Sequence, residues 1–281
     1  MARPITSILS LHVGQGKVRD TYLTPLLYTG TSLGIEAQRW RLHSNLRWAS
    51  WQQADLAYAL ASDHGDDSDA QAGRLRYRYG ALRSFASPYS FPDEEGRAVA
   101  DRRGAWTFYV GPYIGIDVGF NYNTMMASGN NPATARLSAD VGAAAAVAYR
   151  FQNPRAHGLS VMLQAHGPLA GFGFMPEYGA SYYETFYLGH SDGSFHFTSL
   201  HNQQDLDLQL SADVPLALIP WLRRCDTVLR LGGAYRIETM DVNHLVTRFS
   251  SFDFVIGWVI QTLPYSRRKS SLLNRPAYEA Y

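Results

Sequence analysis

WTFYVGPYIGIDVGFNY, residues 106–122, alternates almost without a break. Trp106, Phe108, Val110, Ile114, Ile116, Val118, Phe120 and Tyr122 are apolar, with Pro112 the one irregularity. Thr107, Tyr109, Gly111, Tyr113, Gly115, Asp117, Gly119 and Asn121 fall between them. A period of two sends the two sets to opposite faces of one strand. That strand is far longer than the roughly 5–6 residues usual in soluble proteins. One face is greasy with an aromatic at each end, and the other is small and polar. This is the profile of a strand in a transmembrane β-barrel, with lipid outside and a polar lumen within.

The pattern recurs along the chain. In 135–151, Leu137, Val141, Val147, Tyr149 and Phe151 share a face opposite Arg136, Ser138, Asp140, Gly142 and Arg150. In 252–260, Phe252, Phe254, Ile256, Trp258 and Ile260 alternate with Asp253, Val255, Gly257 and Val259. In 46–60, Leu46, Trp48, Leu56, Tyr58 and Leu60 oppose Arg47, Trp51, Gln53 and Asp55. Arg74, Arg76 and Arg78 interleave with Leu75, Tyr77 and Tyr79. Asp205, Asp207 and Gln209 interleave with Leu206, Leu208 and Leu210, while Leu231, Tyr235 and Ile237 oppose Arg230, Arg236 and Glu238. The run GAAAAVA at 142–148 has helical composition, but the flanking alternation makes it strand. A soluble sandwich or lipocalin-like barrel would bury its bulky face; here that face carries the girdle aromatics.

Bulk composition neither reveals nor excludes this reading. The 281 residues are 46% hydrophobic, and no stretch reaches the ~18 uninterrupted apolar residues of a spanning helix. Only half of each barrel strand need be apolar. Aromatics make up 13%, including 18 Tyr and 6 Trp, a content suited to interfacial girdles. A net charge of +1 gives no global field for nucleic acid. Lys17 and Lys269 are the lysines and all other cations are arginine, which holds carboxylates bidentately in a crowded polar interior. The single cysteine, Cys225, permits no intrachain disulfide. Met1 to Ser10 lack the charged and apolar regions of an export signal, so the outer-membrane reading expects such a signal to have been removed.

The expected fold is all-β: a transmembrane antiparallel up-and-down barrel of ten strands, twelve if another element is split. Residues 1–30 read as an irregular periplasmic arm, 31–263 as the barrel and 264–281 as a basic periplasmic tail. Strands are predicted at 31–43, 46–60, 72–84, 104–122, 134–151, 157–173, 179–190, 193–213 (bulged, or two short pieces), 226–240 and 244–263. Turn signals stand at His43-Ser44-Asn45, Asn153-Pro154 and Ser191-Asp192-Gly193. The Pro-containing, acidic 85–103 stretch reads as a long loop at the cell surface, opposite both termini. Pro215 to Arg224 reads as a short interfacial segment anchored by Trp221.

The inner face is predicted to carry a charge network of Arg74, Arg76, Arg78, Asp117, Arg136, Asp140, Arg150, Asp205, Asp207, Arg230, Arg236, Glu238 and Asp253. A barrel this narrow can be filled by such side chains, and the large inward Trp51, Tyr109 and Tyr113 favour an occluded lumen over a small pore. The predicted membrane-facing aromatics are Trp48, Tyr77, Tyr79, Trp106, Phe108, Phe120, Tyr122, Tyr149, Phe151, Tyr235, Phe252, Phe254 and Trp258.

Catalytic and metal chemistry finds little footing. His43-Ser44-Asn45 and His190-Ser191-Asp192 place His and Ser on adjacent positions, hence on opposite faces of a strand, where the base cannot reach the hydroxyl. His196 and Thr198 have the spacing but not the nucleophile, and His157 and Ser160 are three apart. Asp63, Asp66, Asp67 and Asp69 cluster without EF-hand spacing. The nine histidines form no zinc pattern with Cys225, and no phosphate-cradling glycine loop is present. No cofactor is expected.

Asp20-Thr21-Tyr22-Leu23-Thr24-Pro25-Leu26 with Tyr28-Thr29-Gly30, Phe174 to Phe186 (FMPEYGASYYETF) and Tyr187-Leu188-Gly189-His190 resemble a Bacteroidota family of outer-membrane barrel proteins of undefined function. The resemblance implies a single barrel in the outer membrane of a Gram-negative bacterium and carries over no catalytic residue. The expected role is a non-enzymatic accessory or docking subunit of a larger outer-membrane assembly. Its expected partners are outer-membrane lipids and other outer-membrane or periplasmic proteins. A narrow solute or ion channel is the first alternative and a lipid-modifying barrel enzyme the second.

Overall fold

The computed structural model describes residues 5–43, 47–65, 68–86, 90–92, 98–100, 105–124, 132–151, 158–175, 187–189, 193–222, 225 and 227–262. The long alternating segments form long strands. β1 (Ile5–Asp20), β2 (Thr24–Leu42), β3 (Trp48–Ser62) and β4 (Asp69–Ala86) make a meander. A small ribbon of β5 (Ser90–Pro92) and β6 (Ala98–Ala100) follows. The wall then continues through β7 (Ala105–Asn123), β8 (Ala133–Arg150), β9 (Ser160–Phe174), β10 (Phe195–Ser199), β11 (Gln203–Pro215), β12 (Val228–Val242) and β13 (Leu245–Thr262). All pairings are antiparallel. β13 pairs with β1 from Ile5↔Thr262 to Asp20↔Thr247, so the sheet closes on itself, and among the described wall strands only the short β10 lacks a second strand neighbour.

β10 and β11 occupy one place in the wall, which therefore has ten strands. β10 pairs with β9 as far as Ser199↔Ala170, and β11 takes over at Asp207↔His166. One side advances from 199 to 207 while the other moves only from 170 to 166, and the surplus bulges out. The phase change read between Phe197 and Leu206 is this interruption.

Side chains divide by parity. On β1, Leu9, Leu11 and Val13 are exposed on the outer wall, while Ser10 and His12 are buried inside. On β7 the even-numbered residues from Trp106 to Tyr122 face out, Pro112 included. Pro112 breaks the β4 ladder only locally: pairing lapses between Gly80↔Tyr113 and Arg83↔Val110 without a register change, as expected where a strand lacks one N–H. GAAAAVA lies within β8, with Ala144, Ala146 and Ala148 buried inward.

Two expectations are corrected. Of the arm expected at 1–30, residues 5–30 are not one: β1 and the start of β2 are wall strands, and the described barrel runs from 5 to 262. The Leu9/Leu11/Val13 alternation is short and flanked by serine, glycine and charge, which hid it. Counting this strand also reverses the placement of the long loop. Four strands precede it, so it starts and ends, at Ala86 and Ala105, on the same rim as Ile5 and Thr262. The two strand ends that flank the loop and the outer ends of β1 and β13 thus lie on one side of the barrel. The strand expected at 179–190 lies outside the described residues except for 187–189, which form a turn; both edges of β9 are already occupied by β8, β10 and β11. The 264–281 tail also lies outside the described residues. Leu216–Leu218 and Pro220–Leu222 are single 3-10 turns on the terminal rim, where Trp221 stands almost fully exposed.

Candidate functional site

The barrel axis holds the polar chemistry, because every strand sends alternate residues there. Along one girdle, Glu36, Asp55, Arg76, Asp117 and Ser138 are successive register partners from β2 to β8. Arg76 Nε and Nη2 donate to Asp55 Oδ2 at 2.9 and 2.7 Å. Arg76 also reaches across the barrel to Asp207 at 3.5 Å, and Arg236 joins Asp207 at 3.0 Å and Asp55 at 3.7 Å. Arg78 adds a contact to Asp55 at 3.3 Å. Two arginines and two aspartates thus tie β3 and β4 to β11 and β12 through the middle of the lumen.

A second cluster lies toward the rim opposite the termini. Glu238 receives Arg136 directly and Arg74 at 3.6 Å. Asp117 lies 3.9 Å from Arg136 and 4.0 Å from Arg76, linking the clusters. Asp20, at the end of β1, accepts from Asn121 at 2.6 Å, from Thr134 and from the Tyr22 amide at 3.0 Å. Arg74 donates to Asn121 at 2.9 Å. Near the terminal rim, Arg230 clasps its register partner Asp213 with both Nε and Nη2, at 2.7 and 2.9 Å, the fork geometry favoured by guanidinium–carboxylate pairs.

Apolar layers close the axis on either side. Trp40, Trp51, Tyr109 and Tyr113 pack with Ile8, Leu42 and Leu82 near the terminal rim. Their ring centroids lie 5.5 to 6.2 Å apart from Trp40 to Tyr109, Trp40 to Trp51 and Trp51 to Tyr113. Below them Glu36 accepts from Gln53 at 2.7 Å and from Gln38 at 2.9 Å, and Gln38 also crosses to Gln209 at 3.0 Å. Toward the other rim, Tyr28, Val18 and Phe249 pack over small alanines, and Tyr22, Met175, Met240, Val242 and Leu245 form a further cluster.

All thirteen charges assigned to the inner face project to that side. Arg74, Arg76, Arg78, Arg136, Asp207, Arg230, Arg236, Glu238 and Asp253 are buried, and Asp117, Asp140, Arg150 and Asp205 are half-buried. Residues that belong to the same interior but were not singled out include Asp20, Glu36, Asp55 and Asp213, with His12 and His166. Asp55 and Asp213 sit in phase with Gln53 and Asp207 on their own strands, so parity alone could have found them, whereas His12 and Asp20 on β1, Glu36 on β2 and His166 on β9 share a strand with none of the assigned charges. Of the thirteen aromatics assigned to the lipid side, twelve lie on the outer faces of wall strands and Phe151 directly follows β8; Tyr149 and Phe151 are half-covered, meeting edge to face at 4.9 Å, with Tyr149 tilted against Trp106 at 4.6 Å.

His190, Ser191 and Asp192 lie outside the described residues, as do Ser44, Asn45, His157, Asp66 and Asp67. Among the described residues one Ser–His contact does occur: Ser199 Oγ and His201 Nδ1 lie 2.5 Å apart in the break between β10 and β11. It belongs to a turn. Asn202 accepts from the Ser199 amide at 2.7 Å and donates to the Phe197 carbonyl at 3.0 Å, so it is committed to the backbone rather than to orienting the imidazole. Asp63 likewise accepts from the Gly65 amide and from Ser68. No group of three or more metal-binding side chains occurs among the described residues.

A family model described as "Protein of unknown function (DUF3316)" matches residues 1–269. No curated protein matches the chain. Among solved structures, the COG4313 outer membrane channel from Pseudomonas putida F1 is 10% identical, with 93% of this chain and 96% of that one covered and a TM-score of 0.34. The transport unit of the autotransporter AIDA-I from Escherichia coli is 8% identical over 92% and 90%, with a TM-score of 0.41. The translocator domain of the autotransporter NalP from Neisseria meningitidis is 8% identical over 92% and 88%, with a TM-score of 0.38. At scores this low, no pore, solute or passenger carries over to this chain.

Proposed function

Because this chain belongs to the DUF3316 family, whose function is unknown, we propose a role from its own geometry: a non-enzymatic outer-membrane barrel that does not conduct and serves as an accessory or docking subunit of a larger outer-membrane assembly. The observation that carries the reading is the filled axis. An aromatic layer, a buried Arg–Asp lattice and a second apolar layer stand in series between the rims. Buried ion pairs contribute little net stability over an apolar filling, but they fix opposite walls to one another across the axis. A barrel without a lumen works through its rims and outer wall. The terminal rim, where the 3-10 turns within 216–222 hold Trp221 exposed, offers the surface where another subunit would bind.

Outer-membrane placement is supported by the closed antiparallel wall with apolar side chains outside and polar ones inside. A Bacteroidota source rests on the resemblance of three sequence stretches alone. A gated narrow channel is the second reading, favoured by the polar lining along the middle of the axis. Planar-bilayer recording separates the two. Purified protein is expected to give no stepwise current, and reproducible unitary openings would overturn the plugged-barrel reading. Chemical crosslinking in native outer membrane, followed by mild detergent release, is expected to trap the barrel in a complex of fixed stoichiometry. Recovery as an uncrosslinked monomer would overturn the docking role.

A further inference from the structure

The polar outer rim of β1 and β13 contains an arrangement that the filled axis does not explain. Lys17 and Arg19 project outward from β1, and Arg248 from β13. Arg19 and Arg248 are direct register partners, and Lys17 faces Ser250. Like charges placed opposite one another destabilise a strand pair. No carboxylate among the described residues forms an ion pair with any of the three; the nearest outward acid by register, Asp241, sits one step beyond Thr239, the β12 partner of Arg248, and forms none either.

The place is hollowed. Pairing of β2 with β1 slips between Val18 and Asp20, so Pro25, Leu26 and Leu27 are pushed out of the ladder. The Thr24 hydroxyl accepts from the Leu26 amide and holds that bulge. The result is a groove of about 600 Å³ on the outer wall, lined by the three cations, Leu27, Tyr235 and Phe252. Immediately along the same strands, the outward residues become wholly apolar: Val13 and Leu11 on β1, Phe254 and Ile256 on β13. The cations therefore stand at the edge of the apolar band, where a lipid's charged group meets its acyl chains.

We propose that this groove binds the headgroup of an anionic membrane lipid carrying more than one phosphate. Guanidinium forks match phosphate oxygens bidentately, three cations without a carboxylate partner carry more positive charge than the single negative charge of one phosphodiester balances, and Phe252, Tyr235 and Leu27 supply the surface for the chains below. The TPLL bulge of the Asp20–Gly30 stretch is then the feature that shapes the site. The assignment does not depend on whether the barrel docks or conducts.

The test is native mass spectrometry of the detergent-released full chain, offered cardiolipin (two phosphates) or phosphatidylcholine with matched acyl chains. Cardiolipin is expected to be retained in preference, and Lys17→Gln/Arg19→Gln/Arg248→Gln to lose that retention by about tenfold or more, since three charge-assisted contacts are removed. Arg39→Gln/Arg41→Gln/Arg83→Gln, altering outward cations of the other rim, is expected to retain it. All variants must keep the heat-shifted band of a folded barrel on gels; should the triple variant not fold, the single Lys17→Gln and Arg248→Gln variants are read instead, each with a partial loss. Equal uptake of phosphatidylcholine, full retention by the groove variants, or equal loss in the control would overturn the proposal. So would displacement of cardiolipin by excess inorganic phosphate, which would mark a free-anion site.

Discussion

Arg76 and Asp55 are register partners on adjacent strands, and the Arg76 guanidinium turns along that rung to hold Asp55 with two hydrogen bonds while its far side reaches Asp207 on the opposite wall. One side chain thereby fastens three strands.

Reversing the charge at this point gives the sharpest test of the interior. Arg76→Glu sets a new carboxylate among Asp55, Asp117 and Asp207, and is expected to cost about 3–5 kcal/mol, the usual penalty for leaving buried charge uncompensated. Urea unfolding in detergent reads this directly. Asp55→Asn/Arg76→Met, which removes both partners together, should cost clearly less than the charge reversal. An unchanged midpoint for Arg76→Glu would mean that the arginines face free water, which favours a pore.

Leu11 and Ile256 face each other across the β1–β13 seam on the outer wall, well inside the apolar band. Leu11→Arg is expected to destabilise the barrel by about 2–4 kcal/mol in lipid, the range for a cation near the bilayer midplane. Folding titrations into vesicles measure this. A neutral outcome would deny that this face meets acyl chains.

The turn between β12 and β13 consists of Asn243 and His244, with φ of 55° and 61°. Two consecutive left-handed residues define the hairpin turn that prefers Asn-Gly. His244→Gly is expected to raise stability by about 1 kcal/mol by removing a side chain from that conformation, whereas Asn243→Ala should lower it, since the Asn243 amide also donates to the Gly193 carbonyl at 2.9 Å. Thermal melts in detergent of the two variants should move in opposite directions.

Strand parity makes a topological prediction. Cys225 follows the 3-10 turns of the terminal rim, and Asp63 directly follows β3 on the opposite rim. A membrane-impermeant maleimide applied to intact cells is expected to label only one of two proteins: the native chain at Cys225, or Asp63→Cys in a Cys225→Ser background. A tag inserted in the 87–104 connection should share the accessibility of Cys225. Equal labelling from one side would refute the arrangement.

Much of the wall was legible because lipid and lumen impose opposite demands on alternate residues. In β7 and β13 nothing interrupts that contrast except Pro112, so their faces could be read outright. β1 was missed because its outward residues change from leucine to Gln15, Lys17 and Arg19 at the rim, while Gly14 and Gly16 blur the inner phase. That one omission inverted the placement of the 85–103 loop. The β10–β11 interruption could be sensed as a phase change but not resolved, since the sequence does not say which neighbour each fragment will pair with. The charged positions of the interior followed from parity. Their bonds did not: Arg76 to Asp207 and Arg74 to Glu238 join strands far apart in sequence, and only closure of the cylinder brings them within reach.

Closure itself falls to the first and last wall strands, because β1 finds its second neighbour only in β13. Until residues 245–262 have been delivered, the first strand has a bare backbone edge, and so does whichever strand has come last; either can recruit a foreign chain. Biogenesis of this cylinder must therefore shelter its earliest segment until its latest arrives, and truncation near the carboxyl terminus would leave the whole ring unsealed.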